Sequence, residues 1–552
     1  MIAVTDETTI AQAFDAAVAA YGDASLMAVP VNADRSYYPD GLELSYEQAG
    51  VAVAALVARY RQAGYGYPHR IGLLLESRPE HMLHKLAMNS LGVCCVPVNP
   101  DYRAGELAYL IDHSQVDLLV VLPDYLAVVR EALATTANQP PVVTLDDVAT
   151  DLPAARQPCQ DISLHAQMPA SILYTSGTTG RPKGCVLSHE YEIASGAWYA
   201  RQGGLISIRT QQERLYTPLP LFHVNASILS FYCMMLTGNC QVQTDRFSPS
   251  RWWTEVRESR ATIVHYLGVI VPMLLSQPKG KQDRDHCVRM GYGAGVEPQL
   301  HAVFEERYGF PLLELWGMTE MVRTFVDNMP PRKVGTRAFG RAGPGLEVRV
   351  VNELDQDVPD GQPGEMLIRY SAATPRKHFF LGYLDDEPAT EAAWHGGWFH
   401  TGDVIVRAPD DGMLHFVDRR KNIIRRSGEN IAAAEVEAHL LTHPLVDQVA
   451  VLGVKDEVRE EEVLACVVVH MPQDSVDGAT VTQASRDAIV KDLFDYCQQH
   501  LAYYKAPGWV WLADSIPTTE TQKIQKHRIF PQGTDPRTLP GIYDMRRFKR
   551  RQ

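Results

Sequence analysis

"IGLLLE" (Ile71 to Glu76), "VCCVPVN" (Val93 to Asn99) and "DLLVVLP" (Asp117 to Pro123) are unbroken apolar runs of strand length, each set off from the next by an amphipathic stretch. A strand with one face in water alternates apolar and polar residues. A run that is apolar throughout must be covered on both faces, as in a parallel sheet between layers of helices. The stretch before them, "SYEQAGVAVAALVARYRQAG", spaces its apolar residues at helical intervals and closes on Gly64. The alternation returns in "ASILYTSG", "ATIVHYLGV" and "HCVRMGYGAG", so the pattern predicts an α/β fold with two doubly wound, mainly parallel sheets.

The texture changes after about residue 335. "GLEVRVVNELDQDVPDGQPGEMLIRY" reads as short strands punctuated by Asp-Gly and Pro-Gly turns, which predicts an antiparallel, barrel-like part. From Val449 the runs "VAVLGV" and "VLACVVVH" precede a long polar helix, "SRDAIVKDLFDYCQQHLA", and so predict a small α+β domain. The expected division is a large N-terminal domain, residues 1–420, and a small C-terminal domain, residues 421–552, with the boundary in the charged run Asp418 to Lys421. No internal repeat or low-complexity segment interrupts this plan.

With 552 residues, 45% of them hydrophobic, the chain can bury a large core. Its net charge of -14 argues against nucleic acid as a partner, and the basic ending Arg546, Arg547, Lys549, Arg550 and Arg551 reads as a frayed, solvated tail. No apolar run approaches the ~20 residues that cross a bilayer, and the start has no basic region ahead of an apolar one. A cytoplasmic protein without a membrane span is expected. The nine cysteines suggest neither a disulfide framework nor a zinc site, and all nine are expected to be buried free thiols.

The densest chemistry lies in "YTSGTTGRPKG". Glycines let backbone N–H groups converge on an anion, Thr175, Ser176, Thr178 and Thr179 add hydroxyl donors, and Lys183 adds a movable cation. This composition suits a polyphosphate. It is not the common P-loop, because Lys183 follows Pro182 and is not followed by Ser or Thr.

On these eleven residues the chain resembles the adenylate-forming superfamily, which takes in acyl-CoA synthetases, peptide-synthetase adenylation domains and firefly luciferase. The family's other motifs follow in order: "PLPLFHVNA" (Pro218 to Ala226), "GYGAG" (Gly291 to Gly295), "LWGMTE" (Leu315 to Glu320), "GGWFHTGDV" (Gly396 to Val404), "VDRRKNIIRRSGENIAAAEVE" and "PTTETQKIQKHRIF". The resemblance runs from about residue 44 to residue 530. Two positions depart from the family pattern: Gln522 stands where a glycine usually precedes the closing lysine, and Trp316 replaces the more frequent tyrosine while keeping a flat face for adenine.

The resemblance implies a role for each motif. Thr175, Ser176, Gly177, Thr178, Thr179, Gly180 and Lys183 would hold the phosphates of ATP; Gly293, Ala294, Gly295, Trp316, Gly317, Met318 and Thr319 would line the nucleotide. Glu320 would hold Mg²⁺, Asp403 and Arg419 the ribose, and Lys523 would bridge the substrate carboxylate and the α-phosphate. The small domain would be mobile, turning about Lys421 to bring Ser427, Gly428 and Glu429 to the site for coenzyme A. His223, Val224, Asn225, Tyr266, Gly268, Tyr292 and Val322 would wall the acyl substrate, with His223 as wall or gate and not as a general base. Arg323 and His265 either meet a second polar group on the acid or sit outside the pocket.

The implied activity is that of an ATP-dependent, AMP-forming carboxylate–CoA ligase, with a small-molecule carboxylic acid, ATP and CoA as partners and a homodimer compatible with the pattern. A carrier-protein ligase, a luciferase-like oxidoreductase and a degenerate binding protein are the alternatives. The ending "TETQKIQK" resembles carnitine and crotonobetaine CoA ligases more than long-chain synthetases.

Overall fold

The computed structural model describes residues 1–175, 182–352, 354–419, 423–470, 483–517, 524, 526, 529–531 and 533–551. The three apolar runs form the strands Arg70–Leu74, Cys94–Pro97 and Leu118–Val121, with Arg70–Leu74 in the middle and both pairings parallel. They belong to a seven-stranded sheet ordered Gly382–Tyr383, Lys183–Ser188, Pro169–Thr175, Cys94–Pro97, Arg70–Leu74, Leu118–Val121 and Val142–Thr144. The predicted helix is Tyr46–Gln62. Ser45 Oγ accepts from the Gln48 amide while Gln48 Oε1 accepts from the Ser45 amide, so two orphan donors of the first turn are satisfied reciprocally. Gly64, at φ +87, then turns the chain out of the helix.

The second large sheet has eight strands, ordered Met321–Val326, Leu312–Met318, Met290–Ala294, Ile263–Leu267, Arg214–Thr217, Cys240–Gln243, Ser25–Val29 and Leu42–Ser45. Its inner pairings are parallel and its two edge pairings antiparallel. The antiparallel part predicted after residue 335 is a four-stranded sheet of Glu347–Val351, Pro363–Arg369, Phe399–Arg407 and Leu414–Arg419.

The chain falls into two compact units: Met1–Pro100 with Leu110–Tyr174 and Gly184–Arg420, and Lys421–Gln552 with Asp101–Tyr109 and Thr175–Lys183. The first has its core around Ile71, Leu73, Val120, Leu187, Phe231 and Met290. The second has a six-stranded sheet in which Val446–Asp456 pairs along Glu460–Val469 as a long antiparallel ladder, packed on the helices Ala433–Leu440 and Gln483–His500 through Val436, Leu440, Val449, Val463 and Phe494. Among the described residues, no helix is long and apolar enough to cross a membrane.

Two expectations are corrected. The basic ending is docked: Arg546 bonds Asp544 at 2.8 Å and Asp456 at 2.9 Å and lies over the Trp509 ring, and the buried Lys549 ammonium donates to Glu462 at 2.7 Å and to the Tyr504 carbonyl at 3.0 Å. Arg551 reaches Asp101 at 2.7 Å. Composition alone gave no hint of the acidic partners that hold this segment. Cys159 and Cys287 are exposed, while the other seven cysteines are buried, and all nine are free thiols.

Candidate active site

Thr175 ends the strand Pro169–Thr175 and Lys183 begins its neighbour, Lys183–Ser188. Ser176, Gly177, Thr178, Thr179 and Gly180 lie outside the described residues, as do Lys421 and Lys523.

Motifs expected to meet the nucleotide come together in the first unit. The strand Leu312–Met318 turns through Thr319 and Glu320 into Met321–Val326, with Met318 opposite Met321. This hairpin carries Trp316, only 5% exposed, among Phe325 and Phe339. Its indole N–H donates to Asp403 Oδ2 at 2.8 Å, a bond across 87 residues of chain. Asp403 sits on Phe399–Arg407 directly opposite Arg419 in the antiparallel register. Its own amide donates to Thr401 Oγ1 at 3.1 Å. Asp403 is therefore met by Trp316 from a distant motif and by Arg419 from the next strand. Trp316 is thus buried and engaged through its indole N–H.

Glu320 is buried and accepts from the Tyr383 hydroxyl at 2.7 Å, while the Thr319 carbonyl accepts from Tyr191 at 2.7 Å. Tyr383 lies on the short strand paired with Lys183–Ser188, so the Thr319–Glu320 turn of one sheet is tied to the edge of the other. Burial, then the neighbouring Glu320 charge, pushes the Tyr383 hydroxyl far above its usual range, which keeps it a donor. Gly317 leaves room for the Thr324 methyl, which a Cβ would meet at 3.0 Å.

The strands Ile263–Leu267 and Met290–Ala294 divide the remaining residues by face. His265 is level with Tyr292, and Tyr266 with Gly293. On one face His265 Nδ1 donates to Asn225 Oδ1 at 2.7 Å and Nε2 accepts from Tyr199 at 3.0 Å, while Tyr292 stacks on Tyr199 and bonds Thr324. Burial pushes the His265 imidazole down to about 3, so the ring is neutral. Asn225 opens the π-helix Asn225–Ser230, one residue after Val224 and two after His223, whose carbonyl accepts from Ser227 Oγ at 2.9 Å. Such widened turns recur at functional sites. Val322, on the neighbouring strand Met321–Val326, is buried.

Tyr266 is on the other face, apart from the remaining predicted acyl-wall residues. It packs with Val264, Trp252 and Phe304, and a Cβ at Gly293 would come within 2.2 Å of its carbonyl oxygen. The period-two alternation of a strand separates neighbours in sequence in this way. Gly268 bonds the Ala294 carbonyl at 2.8 Å, closing the strand ends together.

Arg323 is buried, donates to the carbonyls of Gly345 and Lys377, and lies near the rings of Trp198, Tyr370 and Phe379. Burial pushes its guanidinium down to about 10. In the second unit Ser427 and Gly428, at φ +51 and +85, form the two-residue turn between Ile423–Arg426 and Glu429–Ala432, and Arg459 braces it through Ser427 Oγ at 3.3 Å.

Sequence reading missed Glu314. It accepts from Tyr266 at 2.9 Å and from the amides of Gly295 and Val296 at 3.2 and 3.3 Å, fixing the bend after "GYGAG". Burial pushes its carboxyl up to about 7 against those three donors. A glutamate inside the apolar run "LLELW" was the available signal.

Known proteins resemble this chain along most of its length. The AMP-binding enzyme family matches residues 14–384 and the AMP-binding enzyme C-terminal domain matches residues 435–523. A crotonobetaine/carnitine–CoA ligase of Salmonella arizonae is 28% identical over 83% of this chain and 87% of its own length, and one of Salmonella typhi is 29% identical over 83% and 88%. Among solved structures, an o-succinylbenzoate CoA synthetase from Bacillus subtilis aligns with a TM-score of 0.79 at 21% identity, over 95% of this chain and 98% of that one. An amide bond synthetase from Marinactinospora thermotolerans aligns with 0.75 at 24% identity, over 95% and 99%. These structures share the fold. With both family domains present and CoA ligases among its relatives, the chain belongs to the AMP-binding enzyme family, within the adenylate-forming superfamily, as an AMP-forming acid–thiol ligase.

Proposed function

We propose that this enzyme joins a carboxylic acid to coenzyme A in two steps. The carboxylate attacks the α-phosphorus of ATP, giving an acyl-adenylate and pyrophosphate; the CoA thiol then attacks the acyl carbon, giving the thioester and AMP. The observation that carries this reading is the bond from Trp316 to Asp403, with Arg419 opposite in register. It supports a ribose site in which the Asp403 carboxylate, positioned by the Trp316 N–H, accepts from sugar hydroxyls. Thr175, Lys183 and the hydroxyls between them hold the phosphates, and the bend fixed by Glu314 flanks the base.

Glu320 fits Mg²⁺ because its carboxylate is a hard oxygen donor, oriented by a hydroxyl that does not neutralise it. The ion, when bound, would offset phosphate charge. Lys523 brings a point charge to the carboxylate and α-phosphate, which length and flexibility suit it to do from the 421–552 domain. That domain then turns at Lys421, and the Ser427–Glu429 turn takes its place for the thiol step.

The acyl wall supports an acid with a single reacting carboxylate and a neutral or cationic remainder. His265 is uncharged, and Arg323 is engaged by backbone carbonyls and aromatic rings away from it. The names of the Salmonella relatives make crotonobetaine and carnitine the first acids to try. We place the reaction in the cytoplasm.

Pyrophosphate release across a panel of acids, with and without CoA and with the thioester identified by mass, tests the reading. CoA-dependent thioester formation is expected. Pyrophosphate release with no CoA thioester would assign the adenylate to another acceptor. Lys523→Ala should abolish adenylate formation while thioester formation from supplied adenylate survives; equal loss of both steps overturns the two-conformation scheme.

A further inference from the structure

A second cluster of ligand atoms lies in the first unit beside the antiparallel sheet, outside the walls described above. Asp355 sits in the turn after Glu347–Val351, at φ +57, in a loop stapled by Asn352 Oδ1 accepting from the amides of Leu354 and Gln356. His395 opens the short turn His395–Gly397 behind the helix Glu387–Ala393, and His400 is the second residue of Phe399–Arg407. Three separate backbone pieces thus deliver one carboxylate and two imidazoles.

His395 Nδ1 is 3.0 Å from Asp355 Oδ2, and His400 Nε2 is 4.0 Å from the same oxygen. One ligand atom from each of the three lies within 4.8 Å of the others. Around a tetrahedral ion with nitrogen and oxygen ligands at about 2.0–2.1 Å, neighbouring ligand atoms stand about 3.3–3.4 Å apart, so the two distances bracket what such an ion needs. His400 Nε2 is buried with no hydrogen-bond partner among the described residues, and 4.0 Å is too long for a bond to Asp355. Its other nitrogen faces Glu365 Oε2 at 3.6 Å, the position from which a carboxylate orients a metal-bound imidazole.

Among the described residues, the nearby arginines are engaged elsewhere. Arg349 is paired with Asp357 at 2.8 Å, donates to the Asp355 carbonyl at 3.0 Å and lies over the Trp398 ring, and Arg369 is paired with Glu347 at 2.7 Å. A second candidate, Asp6 with Glu190 and His378, differs here: the Lys377 ammonium already sits 2.6 Å from Asp6. Two imidazoles and one carboxylate favour a borderline transition cation over Mg²⁺ or Ca²⁺.

We propose that Asp355, His395 and His400 form a binding site for a divalent transition cation of the zinc type, distinct from the Mg²⁺ position at Glu320. The exposed side of His395 leaves room for water as the fourth ligand. Bound there, the ion ties the turn that carries Asp355 to the strand that carries Asp403, three residues beyond His400. Glu365 links the two directly, because its second oxygen accepts from the Gly402 amide at 3.0 Å.

The test uses the full chain, stripped by a chelator, titrated with Zn²⁺ against a chromogenic competitor and with Co²⁺ followed by visible absorption. One tight Zn²⁺ equivalent and a nitrogen-ligand Co²⁺ band are expected. His395→Ala and, separately, Asp355→Asn should weaken Zn²⁺ roughly tenfold or more and abolish the rise in Tm that Zn²⁺ gives the unaltered chain. Both positions are partly or fully exposed, and pyrophosphate release without zinc reports that the variants are folded. Equal Zn²⁺ affinity in the unaltered chain and in both variants, no tight Zn²⁺ equivalent in the unaltered chain, or loss of binding in Glu320→Gln alone would overturn the assignment.

Discussion

Glu213 and Glu314 are both buried glutamates of the eight-stranded sheet, and they are held in opposite ways. Glu213, just before the strand Arg214–Thr217, takes Arg209 at 2.8 Å, Arg289 at 2.8 Å and the Thr262 hydroxyl at 2.6 Å. Despite burial, those partners hold its carboxyl down at about 2. Glu314 is met by a phenol and two amides, and burial wins, raising it to about 7. Charged donors lock a carboxylate as an architectural anion, whereas neutral donors position a backbone bend and leave the group's charge dependent on pH.

The largest expected effect lies on the arginine side. Glu213→Ala leaves Arg289 and Arg209 without their anion and should cost about 3 kcal/mol, toward the lower end for a broken buried pair because Arg209 is partly solvated. Urea unfolding measures it, and the KM for ATP should stay within about twofold. A large rise in KM with little loss of stability would break the comparison.

The pH dependence follows in size and has opposite signs for the two groups. From the ordinary value of 4.5 up to about 7, folded Glu314 keeps a proton that the unfolded chain has released, so stability falls as pH rises across that window, by up to about 3 kcal/mol. Glu314→Gln should flatten that descent in unfolding curves taken between pH 4.5 and 7.5. Glu213, lowered to about 2, contributes stability that is present above 4.5 and is lost as pH falls toward 2. An unchanged descent in Glu314→Gln would remove the contrast.

Glu314→Ala sharpens the functional side. It should raise the KM for ATP roughly fivefold, about 1 kcal/mol, with kcat nearly kept, because the Gly295–Val296 bend loses its acceptor. The smallest effect is expected from Trp316→Phe, which removes the donor to Asp403 and should weaken ATP binding about threefold, in line with a single neutral hydrogen bond.

Much of the fold was legible because apolar runs leave few options. Ile71 to Glu76 and its two companions could only be strands covered on both faces, and they are. Motif order singled out Asp403 and Trp316 one by one, but not the bond between them, because pairing across 87 residues leaves no local signature. Tyr266 shows the opposite limit: adjacency to His265 suggested a shared wall, and the pleat sends the two apart. Glu314 and the anchors of the basic tail were hidden for one reason. A charge read in sequence says nothing about its partner until the chain has folded around it.

That tail has a practical consequence. Removing the last four residues would take away Lys549 and leave Arg426 as the remaining counter-ion of the fully buried Glu462 among the described residues. The segment that carries Lys549 behaves as a stopper seated in the small unit, so removing it should loosen that unit well before any candidate-site group is touched.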